Sequence, residues 1–113
     1  MIPPFEAHVR IQADTAVIDL SGEINVNAEI ALFQAFSEAE GSSPAVIVLN
    51  FLKINYINST GIALIVELLS RARKANRRLV VYGLSDHYME IFRITRLSDY
   101  IQIYADETSA RAG

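Results

Sequence analysis

The sequence contains no cysteine and only two histidines, which limits the chemistry that the chain can support. Without cysteine there is neither a disulfide nor a thiolate metal site. His8 and His87 lie far apart in the chain, so a zinc site built on them is not expected. A phosphate-cradling glycine loop of the Walker type is also missing. We therefore predict neither a bound metal nor a cofactor.

Long apolar runs, a basic N-terminal region and an excess of positive charge are missing as well. No stretch approaches the roughly 18 to 20 apolar residues that cross a bilayer, so direct membrane insertion is not expected. The opening "MIPPFEAHVRI" lacks the basic and apolar segments of a secretory signal, which predicts a cytoplasmic protein. The formal net charge of −3 disfavours general nucleic-acid binding.

Apolar side chains are plentiful, at 51% of 113 residues, which is enough for the core of one domain. Their spacing predicts the order β-β-α-β-α-β-α-β. The predicted elements are a hairpin over residues 8–20 that turns at Ala13-Asp14 and is ended by "SGE" at 21–23, a helix capped by Asn25 or Asn27, a buried strand at 44–51, a helix beginning near Thr60, a buried strand at 79–84, a helix capped by Ser85, and a strand at 99–105.

Buried strands joined by helices require right-handed parallel crossovers. We therefore expect an α/β fold, with a mixed, mostly parallel β-sheet and helices packed mainly on one face. Residues 1–113 are interpreted as one domain with its core at about 8–105, and the last eight residues, "DETSARAG", as a frayed end.

The most informative stretch is "INYINSTGIALIVELL" at 54–69, where three polar side chains and a glycine precede an apolar run. Asn58, Ser59 and Thr60 fall where a side-chain oxygen caps a helix, and Gly61 allows close approach by another backbone. A helical wheel assigns one stripe of side chains to the core and leaves Leu64 and Leu68 on its margin. The stripe consists of Ile62, Ile65, Val66, Leu69 and Ala72.

A helix N-terminus also favours an anion, so a hydroxyl in this position suits a phosphate group. Two other interpretations of the same residues are weak. Asn58-Ser59-Thr60 matches a glycosylation sequon, but a chain without a secretory signal would not meet the transferase. Ser59 as a hydrolase nucleophile would need a base, and neither histidine can be placed beside it from the sequence.

Two segments resemble the STAS domain, a family named for sulfate transporters and anti-sigma factor antagonists. "LNFLKINYINSTGIALIVELLSRARKANRRLVVYGLSDHYMEIFRITRLSDYIQIY" is similar to its pattern of a buried strand, an Asp-Ser-Ser/Thr-Gly motif, and alternating helices and strands. "VIDLSGEINVNAEI" resembles its earlier motif, leucine-x-Gly-Glu-Leu-Asp followed by a helix. The resemblance covers about residues 8–105.

The resemblance implies a protein that catalyses nothing and acts as a phosphorylation switch. In stand-alone bacterial members, the first hydroxyl residue after the motif Asp is phosphorylated by a serine kinase that is also the anti-sigma factor. The matching acceptor is Ser59, with Thr60 as second choice and Asn25, Asn58 and Gly61 as neighbours. The unphosphorylated form binds the kinase, the phosphorylated form releases it, and a phosphatase resets the cycle.

The sequence departs from the family pattern in three places. Asn58 and Asn25 stand where the two motifs have Asp, which removes carboxylates that would repel a phosphate but also any charge that orients the hydroxyl. The last helix after Tyr104 is short or missing, which would leave a face open to a partner or a second copy in a homodimer. These departures keep a second interpretation open, a non-switching subunit or scaffold of a stress-sensing complex or a membrane transporter.

Partner contacts are expected beside the switch and along the basic run "RARKANRR" at 71–78, which holds five of the ten basic residues. Leu64 and Leu68, if exposed, would be apolar contacts that a nearby phosphate turns off. Arg71 would join them. The basic run itself complements the negative C-terminal end of its helix, and it could also dock an acidic partner, with Arg93 and Arg96 extending the patch.

Overall fold

The structure is a computed structural model that describes residues 3–112, and it has the predicted order of elements with three additions, two 3-10 turns and a last helix. In chain order the elements are β1 (Glu6–Gln12), β2 (Thr15–Ile24), a 3-10 turn (Val26–Ala28), α1 (Glu29–Glu40), β3 (Val46–Ile57), α2 (Ser59–Lys74), β4 (Arg78–Tyr82), α3 (Asp86–Ile94), a second 3-10 turn (Leu97–Asp99), β5 (Gln102–Tyr104) and α4 (Glu107–Ala112). The interpretation of residues 1–113 as one domain stays a prediction, and Met1, Ile2 and Gly113 lie outside the described residues.

The five strands lie in the sheet in the same order as in the chain. β1 is antiparallel to β2, and every later pair is parallel. Three successive right-handed crossovers that all step in the same direction must place their helices on one side of the sheet. This is the physical reason why α1, α2 and α3 share a face, and the predicted mixed α/β fold is confirmed.

Side chains alternate between the two faces of the sheet, as the period of a strand requires. On β3, Ile47 and Leu49 are fully buried in the core beneath α1, α2 and α3, whereas Val48 points to the opposite face. There it forms a small second cluster with Val17, Val80 and others. Both faces of the central strands are therefore buried, which explains their continuous apolar sequence.

The end of the chain is helical rather than frayed, so that expectation was wrong. The six residues of α4 pack on the second face, where Ala110 is fully buried against the valine cluster. A last helix after Tyr104 is present and short. α4 covers the valine cluster, so that part of the face is not open to a partner or a second copy.

An arginine on β1 attaches α4 to the sheet. The guanidinium of Arg10 donates to both carboxylate oxygens of Asp19, at 2.6 and 2.9 Å, and to both of Glu107, at 3.1 and 2.8 Å. The hydroxyl of Tyr82 donates to Glu107 at 3.0 Å, and the amide of Asn50 donates to Asp19 at 2.8 Å. One cation thus ties the terminal helix to the neighbouring strands β1 and β2, while the Tyr82 hydroxyl ties it to β4.

This network shifts the titration of its members. The Arg10 guanidinium holds the pKa of Asp19 and the pKa of Glu107 below their ordinary values of 3.8 and 4.5. Burial, and then the hydrogen bond to Glu107, raises the pKa of Tyr82 to about 12. A carboxyl whose pKa is lower in the folded state adds stability above its ordinary pKa and loses it as the pH falls through the lowered value.

We predict that Glu107→Gln loosens α4, because it removes the charge paired with Arg10 and keeps the shape of the side chain. The pair is partly exposed, so the cost should be about 1 kcal/mol or less, or roughly 2–5 °C in Tm. Thermal unfolding and amide exchange in α4 measure this loss of stability. The difference in Tm between the variant and the wild type should shrink as the pH drops below 4.5, because Glu107 then loses its charge in the wild type as well. Glu90→Gln, which breaks an exposed pair with Arg93 on α3, is the control. If Glu107→Gln and Glu90→Gln lowered Tm and the amide protection of α4 by the same amount, the ion pair with Arg10 would not be what holds α4.

Candidate switch site at the start of helix α2

The site lies where two neighbouring parallel strands end at the same edge of the sheet. Ile24 closes β2, Ile57 closes β3, and the two residues are paired in register. Asn25 follows Ile24 and Asn58 follows Ile57, so the two asparagines lie side by side. The prediction that "SGE" ends the second strand was wrong, since β2 continues through it with irregular pairing to β3. That extension brings the two motif positions together.

Asn58 is the N-cap of α2, which confirms the capping interpretation. Its backbone is extended, and its side-chain oxygen accepts from the backbone N–H of Gly61 at 2.9 Å. Its own N–H donates to the carbonyl of Ile24 at 3.2 Å. An Asn cap of this kind is worth about 1 kcal/mol relative to Ala. Asn58 thus joins the start of α2 to the end of β2.

Gly61 is where the helix and the β2 strand touch. A Cβ at this position would lie 2.1 Å from the carbonyl oxygen of Ile24 and 2.8 Å from Cγ2 of Ile57. Only a hydrogen fits in that space, so the close backbone approach expected from the sequence is confirmed. The glycine sets how deeply the first turn of α2 sits against the sheet.

Asn25 caps a different element from the one expected. Its side-chain oxygen accepts from the N–H of Asn27 at 2.9 Å and closes the 3-10 turn Val26–Ala28. α1 begins only after this turn, at Glu29, with no side-chain cap. Asn27 therefore caps nothing, and the two capping groups at this edge, Asn25 and Asn58, are neutral amides rather than carboxylates.

Ser59 and Thr60 are exposed in the first turn of α2, directly after the cap. Backbone N–H groups at these positions have no acceptor inside a helix. Within residues 3–112, no hydrogen bond engages either hydroxyl or joins Ser59 to a histidine. His8 contacts Glu6 at 3.2 Å, and the ring of His87 packs on that of Tyr88. The Ser59 hydroxyl thus faces solvent at the positive end of a 16-residue helix.

Tyr88 supports the site from α3, a role that no motif in the sequence indicated. Its ring is largely buried, and its hydroxyl accepts from the N–H of Ile57 at 2.8 Å. α3 is held in place by Ser85, whose hydroxyl accepts from the N–H of Tyr88 at 3.3 Å, as predicted. The signal that could have identified Tyr88 is a polar tip on the apolar stripe of an amphipathic helix.

The predicted apolar contacts Leu64 and Leu68 were wrongly taken as exposed. They are 6% and 0% exposed and belong to the core, whereas Val66 is 47% exposed. The wheel placed the centre of the stripe too close to Val66, because it cannot show that α2 packs against α1 and the first 3-10 turn as well as against the sheet. Arg71 is exposed as expected, with its guanidinium 5.1 Å from the centre of the Phe33 ring.

The described residues form neither a membrane-spanning helix nor a metal-binding cluster. None of the helices within residues 3–112 combines the length and apolar character needed to cross a bilayer. In that same range, no three acidic or histidine side chains come together in an arrangement that could hold a metal ion.

Comparison with known proteins places this arrangement in a family. The family model for the STAS domain matches residues 6–110. The anti-sigma-B factor antagonist of Listeria monocytogenes is 31% identical over 94 residues, which cover 81% of this chain and 82% of that protein. An anti-sigma factor antagonist from Mycobacterium paratuberculosis superposes with a TM-score of 0.84 at 19% identity, covering 99% and 97% of the two chains.

A third relative is the Bacillus cell fate determinant SpoIIAA, whose structure was solved in the phosphorylated form. It has a TM-score of 0.70 at 19% identity and covers 96% of this chain and 97% of its own. The chain therefore belongs to the STAS domain family, and its relatives from Listeria and Mycobacterium are named as anti-sigma factor antagonists.

We predict that Gly61→Ala destabilises the protein, because the added methyl group meets the backbone of β2 rather than a flexible side chain. Overpacking of this kind costs about 1–3 kcal/mol, and chemical denaturation measures it. Gly41→Ala is the matched control, since its nearest contact is 3.2 Å away and its φ of −60° suits alanine. If both variants unfold at the same denaturant concentration, the close contact at Gly61 does not exist in solution.

Proposed function

We propose that this protein is a regulator of the anti-sigma factor antagonist type, controlled by phosphorylation of Ser59. Its unphosphorylated form binds a serine kinase that is also the anti-sigma factor, and the phosphorylated form releases it. A phosphatase resets the cycle, which takes place in the cytoplasm, and the protein itself catalyses no step. The observation that carries the proposal is the exposed Ser59 hydroxyl in the first turn of α2, directly after the Asn58 cap.

The relatives support this proposal in two ways. The Listeria monocytogenes protein is named for antagonism of an anti-sigma-B factor. SpoIIAA has been solved in a phosphorylated form, so a fold of this kind can carry the modification. The resemblance of "INSTG" to the family motif assigns the acceptor role to Ser59, with Thr60 as the adjacent hydroxyl.

The local geometry accounts for how a phosphate could act as a switch. A phosphoserine carries a charge of about −1.5 to −2, and the start of a helix stabilises such a charge. The folded structure can accept it because Ser59 is exposed and its neighbours Asn25 and Asn58 are uncharged. A partner surface that had fitted a neutral hydroxyl would instead meet a large negative charge, and burying that charge is unfavourable.

The two asparagines favour one other candidate, a non-switching subunit or scaffold. A carboxylate beside Ser59 could orient the hydroxyl toward a nucleotide or pair with a basic group on the kinase. Asn58 uses its side-chain oxygen to cap α2, and Asn25 uses its own to close the 3-10 turn. In this second candidate "NST" is a helix cap only, and partners bind regardless of Ser59.

Substitution of Ser59 separates the two candidates. With the serine kinase from the same organism, Ser59→Ala should stay bound in the presence of ATP, because it cannot be modified. Ser59→Asp should bind about tenfold or more weakly, a loss of at least roughly 1.4 kcal/mol. Thr60→Ala is the matched control and should respond to ATP as the wild type does. Titration calorimetry with and without ATP measures all four proteins. If both Ser59 variants bind like the wild type, Ser59 is not a switch and the scaffold candidate replaces it.

A further inference from the structure

Among the described residues, several arginines are paired with carboxylates, whereas three cations near the end of α2 are not. Five arginines form ion pairs within residues 3–112: Arg10, Arg77, Arg93, Arg96 and Arg111. In that part of the chain Arg71, Arg73 and Lys74 have no carboxylate partner, although they lie on one turn at the end of α2. In a protein of net charge −3, this is a local concentration of unpaired positive charge.

An apolar groove adjoins two of these cations. It has a volume of about 440 Å³ and runs between the C-terminal half of α2 and Tyr100. Val66 and Tyr100 are 47% and 61% exposed along it, and Leu69 is nearly buried at its base. The guanidinium of Arg73 lies 5.5 Å from the centre of the Tyr100 ring, and Lys74 is also part of the lining. We call this the Tyr100 groove.

The groove continues into a second depression of about 570 Å³, which shares Leu69, Arg73 and Tyr100 with it. Further basic residues, Arg77 and Arg78, line that part. The one carboxylate there, Asp99, accepts from Arg96 at 2.8 Å and is therefore already neutralised. The Tyr100 groove is thus apolar at its base and carries the charges of Arg73 and Lys74 on its rim.

Cations in the last turn of a helix are expected from the helix dipole alone. That effect explains the charges, but it does not explain exposed Val66 and Tyr100 beside them. Apolar side chains grouped in a groove under unpaired cations form a surface complementary to a peptide that has both features. A nucleic acid fits less well, since the base of the groove offers apolar side chains and the chain as a whole is negative.

We propose that the Tyr100 groove docks an acidic segment of a partner protein, with an apolar side chain of that segment seated between Val66 and Tyr100. Carboxylates of the segment pair with Arg73 and Lys74. The expected interaction is weak and transient, and it weakens as salt is added.

This docking site goes beyond the proposed switch and does not rest on it. Ser59 and Lys74 stand at opposite ends of one 16-residue helix, about 22 Å apart along its axis. Salt at physiological strength screens charges over about 8 Å. A phosphate on Ser59 should therefore leave the groove unchanged.

Selection from a random dodecapeptide phage library tests the proposal without assuming a partner. The full-length wild type is the target, and Arg73→Glu/Lys74→Glu is the counter-target, checked for folding by circular dichroism. Peptides that prefer the wild type are then synthesised, and their affinity is measured by fluorescence anisotropy. Arg73→Gln/Lys74→Gln removes the charges without reversing them. Lys53→Glu reverses an exposed lysine on β3 that has no ion pair among residues 3–112 and serves as the matched control.

The proposal expects peptides in which Asp or Glu flank an aromatic residue or Leu. Their affinity should fall about tenfold or more in the Glu variant and less in the Gln variant. It should stay the same in Lys53→Glu and Ser59→Asp. Selected peptides that lack acidic residues, or that bind the Glu variant as tightly as the wild type, would overturn the proposal. So would a poly-dT oligonucleotide that binds as tightly as the peptides, because the site would then recognise anions alone.

Discussion

The contact between the start of α2 and the end of β2 governs the arrangement of the site. The carbonyl of Ile24 accepts from the N–H of Asn58 and lies so close to Gly61 that no Cβ could fit between them. This contact fixes the direction in which α2 leaves β3 and places Ser59 at the surface. Because Ile24 and Ile57 are paired in the sheet, Asn25 is held beside the same point. A change in this contact would move every candidate residue of the switch.

The order of the strands extends this constraint to the rest of the molecule. A sheet whose strands follow chain order has its crossover helices on one face, so α2 lies in one layer with α1 and α3, and nine of its sixteen residues stay exposed. Ser59 lies at one end of that helix, and the Tyr100 groove lies beside its other half. On the opposite face α4 covers the valine cluster, and Arg10 and Tyr82 attach it to the sheet. One helix can therefore present two separate contact surfaces.

Much of this arrangement could be predicted from the sequence. Continuous β-branched runs identified the central strands, and the polar trio with its glycine identified the start of α2, because both signals depend on neighbouring residues. The failures involve contacts between distant parts of the chain. Leu64 and Leu68 are buried in the core that the sheet shares with its helices, which a wheel of α2 alone does not include. α4 is too short and polar to be recognised by periodicity, and it depends on Arg10, 97 residues away from Glu107. Tyr88 contacts Ile57 across a shorter separation of 31 residues.

The central claim is that Ser59 is a regulated phosphorylation site. Phosphopeptide mapping of the protein isolated from its own cells, sampled during growth and under stress, tests this most directly. The account predicts phosphate on Ser59 in an amount that changes with the condition. Ser59 found unmodified under every condition would contradict it, and Asn58-Ser59-Thr60 would then be a helix cap and nothing more.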